Sequence, residues 1–264
     1  MRGPAWRRLF PDVYADRDLV LTHALRARAA AAWVVPGAVV TGRSAAVLWG
    51  VDLAAADEDV ELTLPPGSHP RRVPGLRVRR AAVAAGQVHR RLGVPVSGPE
   101  LTAVRVAAAL PPDEAVVAID RLVVARVVDL AAVHREAALG RGPGSARARA
   151  ACALADGLAE SPQETRLRLL IGRGPLPAPV AQYRIEHEGR FIARVDFAWP
   201  DRKIALEYDG LWHAEPGQFA RDRDRLNRLQ AAGWRVVFVT AADLRNPAAL
   251  VRRLLEALGL ATVR

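Results

Sequence analysis

Three carboxylates in the second half of the sequence lie on two consecutive stretches that alternate apolar and polar residues, as β-strands do. Glu207 and Asp209 are two residues apart, so they share one face of their strand at a separation of about 7 Å. Asp196 belongs to the preceding strand, and a tight turn at 200–202 brings it opposite Ala205 or Glu207, depending on the register. Carboxylates this close repel each other unless a proton or a cation lies between them.

Oxygen ligands without nitrogen or sulfur suit a hard divalent cation, Mg²⁺ or Mn²⁺. Asp196 and Glu207 are therefore the predicted metal ligands. Magnesium polarises phosphoryl oxygens and activates water, so the reaction indicated is hydrolysis of a phosphodiester bond. The alternative is that Glu207 and Asp209 are exposed on the solvent face of an edge strand, where Arg194 and Arg202 match their charge.

The elements around these strands follow the order helix, strand, strand, strand, helix, strand, helix. The first helix opens at Ser161 and Pro162, with Glu164 at its third position. The remaining predicted elements are strands at 181–185, 191–199, 203–209 and 234–240, and helices at 219–232 and 247–259. This order predicts an α/β fold in which helices flank a mixed sheet.

Several short motifs lie in a fixed order between residues 160 and 258. They are Asp196-Phe197 with Pro200, Asp209-Gly210, Trp212-His213, Arg221-Asp222-Arg223, Leu229-Gln230 and Gly233-Trp234-Arg235-Val236. In this order and spacing they resemble the very-short-patch mismatch repair endonuclease, and more closely a related bacterial family in the PD-(D/E)xK nuclease superfamily. The resemblance implies a restriction-endonuclease-like fold and DNA as the substrate.

The resemblance also implies roles for single residues. Glu164 would reach a metal-bound water from the first helix, Asp196 would bind magnesium directly, and Glu207 would occupy the acidic position of the E-x-K element. Asp222 would lie near His213, where an Asp-His pair could orient or deprotonate the attacking water.

The sequence departs from the superfamily pattern at one of these positions. Asp209 stands where the E-x-K element has its lysine, and the only lysine, Lys203, lies too early to replace it. Asp209 still belongs to the candidate catalytic constellation. Glu164 has a competing role, because it also fits a capping box with Ser161.

Two groups of arginines are candidate contacts to DNA phosphates, one on the helix at 219–232 and one around a strand predicted at 76–79. The candidates are Arg221 and Arg225 in the first group, and Arg71, Arg72, Arg77 and Arg79 in the second. For both groups the alternative is a solvated arginine surface, since alternation alone puts Arg77 and Arg79 on the wet face of a sheet.

The first half of the sequence has no catalytic spacing. It predicts a mostly helical, mixed α+β module with helices at 18–32, 44–49, 100–110, 113–127, 130–139 and 146–158, and strands at 60–64 and 76–79. Its stretches VTGRSAAVLWGV at 40–51, LTAV at 101–104 and AIDR at 118–121 are similar to the antitoxin module of type IV abortive-infection systems. That resemblance implies that the module binds DNA or a protein partner.

Composition limits the classes of function. The 264 residues are 51% hydrophobic and 25% charged, which is typical of a globular chain, and a net charge of +10 favours an anionic partner. One cysteine excludes a disulfide framework. No apolar stretch is long enough for a signal peptide or a membrane span, so we expect a cytoplasmic protein.

The sequence therefore predicts two domains, a helical and mixed antitoxin-like module at 1–159 and an endonuclease domain at 160–264. The predicted function is Mg²⁺-dependent or Mn²⁺-dependent cleavage of DNA. The alternative is a non-catalytic DNA-binding or antitoxin-like regulator that keeps the nuclease fold as a scaffold.

Overall fold

The computed structural model describes residues 5–209 and 218–260. The chain divides into two compact units, Met1–Gly157 and Leu158–Arg264, so the division falls two residues before the predicted boundary. Both units combine helices with sheets, and the predicted α/β class is confirmed. No helix within the described residues is long and apolar enough to cross a membrane.

The N-terminal unit is built from seven strands and six α-helices within its described residues. The strands are β1 (Trp6–Phe10), β2 (Val13–Asp16), β3 (Val39–Val40), β4 (Val60–Leu64), β5 (Leu76–Arg80), β6 (Val88–Arg91) and β7 (Val94–Ser97). The helices are α1 (His23–Ala29), α2 (Gly42–Leu48), α3 (Pro99–Ala109), α4 (Pro112–Val124), α5 (Leu130–Leu139) and α6 (Ser145–Leu154). A π-helix, Ala30–Val34, continues α1, and a 3-10 turn, Ala85–Gln87, precedes β6.

Five of these strands form one sheet in the order β5-β4-β3-β7-β6, so β5 lies at an edge. Val40, Leu62 and Val96, from the three central strands, are almost completely buried and pack with small residues such as Ala27 and Ala45. Strands β1 and β2 form a separate antiparallel hairpin. Sequence periodicity predicted β4, β5 and the helices α1 to α6, although the helix predicted at 18–32 begins only at His23 and continues as the π-helix from Ala30. Strands β1, β2, β3, β6 and β7 were not predicted.

The C-terminal unit has four strands and four α-helices within its described residues. The strands are β8 (Val180–His187), β9 (Arg190–Trp199), β10 (Ile204–Tyr208) and β11 (Arg235–Val239). The helices are α7 (Pro162–Arg173), α8 (Gln218–Ala231), α9 (Ala241–Leu244) and α10 (Pro247–Ala257). The sheet order is β11-β10-β9-β8, with β10 and β11 parallel and the other pairs antiparallel, which is the predicted mixed sheet.

Helices cover both faces of this sheet. Leu206 on β10 packs in one apolar cluster with Leu167 of α7 and Leu254 of α10. The neighbouring residue on the same strand, Ala205, packs in a second cluster with Leu229 of α8. Because successive side chains of a strand point to opposite faces, α8 lies on the face that also carries Glu207.

Candidate active site

Strand register brings Asp196 and Glu207 together. Leu206 pairs with Phe197, so the next step along the antiparallel pair places Glu207 opposite Asp196. Of the two registers that the sequence allowed, the structure therefore has the one that joins the two acids. Glu207 lies on the face of the sheet covered by α8, because it shares that face with Ala205.

Asp196 is the most perturbed acid of this group. Its Oδ2 atom accepts a hydrogen bond of 2.7 Å from the backbone N–H of Tyr208. Burial raises the pKa of Asp196 to about 6, and although the Tyr208 N–H opposes the shift, the charges of Glu164, Glu207 and Glu160 add to it. The carboxylate is thus held where its negative charge is costly, which is the usual condition of a group that binds a proton or a cation.

Glu164 reaches the same site from the first turn of α7. The Ser161 side chain accepts a hydrogen bond from the Glu164 backbone N–H, so the predicted N-cap is present. The Glu164 carboxylate is buried, and its Oε2 atom accepts hydrogen bonds from the Glu160 backbone N–H at 2.9 Å and from Gln182 Nε2 at 3.0 Å. The reciprocal bond of the predicted capping box is not formed, because the Glu164 side chain accepts from the N–H of Glu160 and not from that of Ser161.

Gln182, which was not predicted as a site residue, lies opposite Asp196 and has an unusual backbone conformation. Ala181 pairs with Phe197 and Tyr183 with Val195, so Gln182 is the β8 residue that falls opposite Asp196. Its φ is +49°, a left-handed conformation that non-glycine residues seldom adopt within a strand. Such strain clusters at functional sites, and here it accompanies a side chain that donates to Glu164.

Glu207 is neutralised by an arginine. Both Nη atoms of Arg225, on α8, donate to the two carboxylate oxygens of Glu207 at 2.5 and 2.9 Å. The Glu207 side chain is 13% exposed and that of Arg225 is 26% exposed, so the pair is largely removed from water. The hydrogen bonds to Glu207 raise the pKa of Arg225. We expected Arg225 at a DNA phosphate, but its side chain is engaged within the protein.

The donor set fits a divalent cation only in part. Within residues 5–209 and 218–260, Asp196 Oδ1 and Glu164 Oε1 accept no hydrogen bond, so each offers one oxygen. Glu207, a predicted ligand, has both oxygens occupied by Arg225. The described residues contain no group of three or more His, Cys, Asp or Glu side chains arranged to hold a metal ion.

The other candidates from the sequence are exposed or lie outside the described residues. Asp209 is exposed after the end of β10, and Asp222 is exposed on α8, where its charge helps to raise the pKa of Arg225. His213, and with it the predicted Asp222–His213 pair, lies outside the described residues. Lys203 donates from Nζ to the carbonyl of Ala232 at 3.0 Å, so at least one of its N–H groups is used within the fold.

The remaining candidate arginines are exposed. Arg71 and Arg72 lie in the segment before β5, Arg77 and Arg79 lie on β5, and Arg221 lies on α8. Arg194 contacts both carboxylate oxygens of Glu160, at 2.6 and 2.7 Å, rather than Glu207.

Comparison with known proteins gives a family without a stated activity. The chain is 35% identical over 215 residues to two proteins of Mycobacterium tuberculosis, Rv2248 of strain H37Rv and MT2308 of strain CDC 1551, both described as uncharacterized. The alignment covers 80% of this chain and 78% of each relative. The chain belongs to their family.

Other comparisons add little about function. No protein-family profile matches the chain. The crystal structure of the RV2827C protein from Mycobacterium tuberculosis aligns with a TM-score of 0.35 and 20% identity, over 65% of this chain and 64% of that one.

Proposed function

We propose that the C-terminal unit is a magnesium-dependent DNA endonuclease that hydrolyses phosphodiester bonds. The observation that supports it is the half-buried Asp196, whose pKa is raised to about 6 beside Glu164 and opposite Glu207. A fold does not keep such a group for stability, because charging it at neutral pH costs free energy. A bound cation would remove that cost.

In this function two carboxylates would bind the metal ion, and two hydrogen-bond donors would orient them. Asp196 Oδ1 and Glu164 Oε1 are the oxygens that would hold the ion, and when bound Mg²⁺ activates water and polarises phosphoryl oxygens. The Tyr208 N–H orients Asp196, and Gln182 orients Glu164. These donors keep both carboxylates in place before any ligand arrives, so little reorganisation is needed on binding.

Cleavage of supercoiled plasmid by the full chain tests this proposal. We expect scission that requires Mg²⁺ or Mn²⁺ and falls at least about a hundredfold in Asp196→Asn, because the variant loses a charged ligand but keeps its shape. The matched control is Asp201→Asn, at an exposed acid in the turn after β9, which should cleave like the wild type. Equal cleavage by wild type and Asp196→Asn would identify a contaminating nuclease.

A second function has its own support. The pairing of both Glu207 oxygens with Arg225, together with Asp209 in place of the motif lysine, favours a non-catalytic DNA-binding regulator that keeps the nuclease fold. This function predicts DNA binding that weakens steeply with salt, with no metal-dependent scission of any substrate. A cytoplasmic location is part of both proposals, consistent with the single, buried Cys152.

A further inference from the structure

The N-terminal unit contains a groove that the proposed nuclease activity does not use. It has a volume of about 820 Å³ and is formed by the tip of the β1–β2 hairpin, the end of the π-helix and the segment 69–73. A second groove of about 350 Å³ shares the wall made by 69–73 and extends along β5 to Arg80. The two grooves therefore form neighbouring compartments on either side of one short segment.

Aromatic side chains line the larger groove. Trp33 lies in the π-helix and is 67% exposed, which is unusual for so large an apolar side chain, and Tyr14 lines the same groove half-buried. π-Helices are rare and are frequently found at functional sites. An exposed indole in a groove is a surface on which a planar ring can stack.

Cationic side chains line the wall and the smaller groove. Arg71 borders both grooves, and Arg72 and Arg80 border the smaller one. Among residues 5–209 and 218–260, none of these three side chains has an ion-pair or hydrogen-bond partner, in contrast to Arg225. Arginines left without acidic partners beside an aromatic surface are arranged as phosphate contacts are.

One acidic group specifies the ligand further. Asp12 lies in the hairpin turn with a φ of +60° and borders the larger groove. A carboxylate there would repel a phosphate but can accept hydrogen bonds from the amino groups of a nucleobase. The larger groove thus has base-binding chemistry, and the smaller one has phosphate-binding chemistry.

We propose that the larger groove binds an unpaired base of single-stranded nucleic acid, stacked on Trp33, while Arg71, Arg72 and Arg80 contact the adjoining phosphates. Bases within a duplex are already stacked and cannot place a face against the indole, so the site selects single strands. This inference concerns the N-terminal unit alone and does not rest on the chemistry at Asp196.

Fluorescence anisotropy with the full chain in EDTA tests the proposal, because without divalent cations no cleavage can be mistaken for lost binding. The probes are a labelled single-stranded DNA and a labelled single-stranded RNA of about twelve nucleotides, both rich in cytosine and adenine, whose bases carry amino groups, and a DNA duplex of the same length. We expect both single strands to bind more tightly than the duplex. The tighter of the two identifies DNA or RNA as the ligand, whereas absence of binding, or equal binding of the duplex, would overturn the proposal.

Single substitutions locate the binding. Trp33→Ala should weaken single-strand binding about tenfold, and Trp33→Phe should retain most of the affinity because a ring remains. The matched control is Trp6→Ala, at an indole that is 45% exposed on β1 and borders neither groove. Equal losses in Trp33→Ala and Trp6→Ala, or no loss in Trp33→Ala, would contradict stacking in this groove.

The phosphate contacts have a separate readout. Arg71→Ala should reduce the slope of log affinity against log salt by about one, since one phosphate contact is lost. Arg135→Ala is the control, because Arg135 is exposed on α5 and borders neither groove. A change of slope in Arg135→Ala as large as that in Arg71→Ala would show a diffuse basic surface and overturn this assignment.

Discussion

The carboxylates of the acidic site in the C-terminal unit are paired within the protein, whereas the arginines of the smaller groove in the N-terminal unit are exposed to solvent. At the acidic site every carboxylate is held by a donor, Asp196 by the Tyr208 N–H, Glu164 by Gln182 and Glu207 by Arg225. At the groove the arginines have no partner among the described residues. Carboxylates that the protein fixes in one orientation are suited to catalysis, whereas exposed arginines are available to bind an anionic ligand.

Stability should respond very differently to the loss of an arginine at the two places. Arg225→Ala leaves Glu207 largely buried without a partner, so we expect the free energy of unfolding to fall by about 3 kcal/mol. Arg71→Ala removes a solvated side chain and should change it by less than about 0.5 kcal/mol. Urea unfolding of both variants measures the difference.

A second substitution sharpens that comparison. In a Glu207→Gln background, Arg225→Ala should cost much less, because no uncompensated charge remains. A cost of Arg225→Ala that is the same in both backgrounds would show that the arginine stabilises by packing rather than by its ion pair.

Stability should also depend on pH at the acidic site. The pKa of Asp196 is raised to about 6 in the folded chain, against about 4 when unfolded, so the folded state binds this proton more tightly. The stability contributed by protonated Asp196 is therefore complete below about pH 4 and is lost as the pH rises to about 6.

Comparing the wild type with Asp196→Asn isolates this contribution. The variant cannot ionise, so relative to the wild type it should gain about 3 kcal/mol between pH 4 and pH 7. Denaturant unfolding at several pH values measures the difference. Parallel pH profiles for the two proteins would show that Asp196 is solvated like an ordinary surface acid.

The smallest expected change in stability follows from replacing the arginines of the smaller groove. Arg72→Ala and Arg80→Ala should each leave the free energy of unfolding within about 0.5 kcal/mol of the wild type, since both side chains are exposed and have no partner in the described part of the chain. Thermal unfolding measures this. A loss above about 1 kcal/mol would show that these arginines support the fold, which would end the contrast between the two regions.

Sequence patterns predicted the C-terminal unit better than the N-terminal one, for local reasons. Ser161 and Pro162 mark the start of α7, and strong alternation marks β9 and β10. Strands β6 and β7 were missed because their two-residue turn, Leu92-Gly93, has a leucine at a positive φ of 47° where asparagine or aspartate is usual.

The site was predictable in its acids but not in the groups that hold them. Glu164, Asp196 and Glu207 follow from the motif and the strand alternation, whereas Gln182 depends on an irregular backbone that no pattern indicates. Arg225 could have been found, because it lies four residues before the buried Leu229 and so shares the helix face that meets the sheet. The arginine richness of the chain concealed that signal.

We propose above all that the carboxylates around Asp196 form a binding site for a divalent cation. The most direct test is the thermal unfolding of the wild type and Asp196→Asn at neutral pH, with and without Mg²⁺. We expect saturating Mg²⁺ to stabilise the wild type by about 1–3 kcal/mol and to leave Asp196→Asn unchanged, because only the wild type binds the ion in its folded state. An equal response of the two proteins to Mg²⁺ would contradict it.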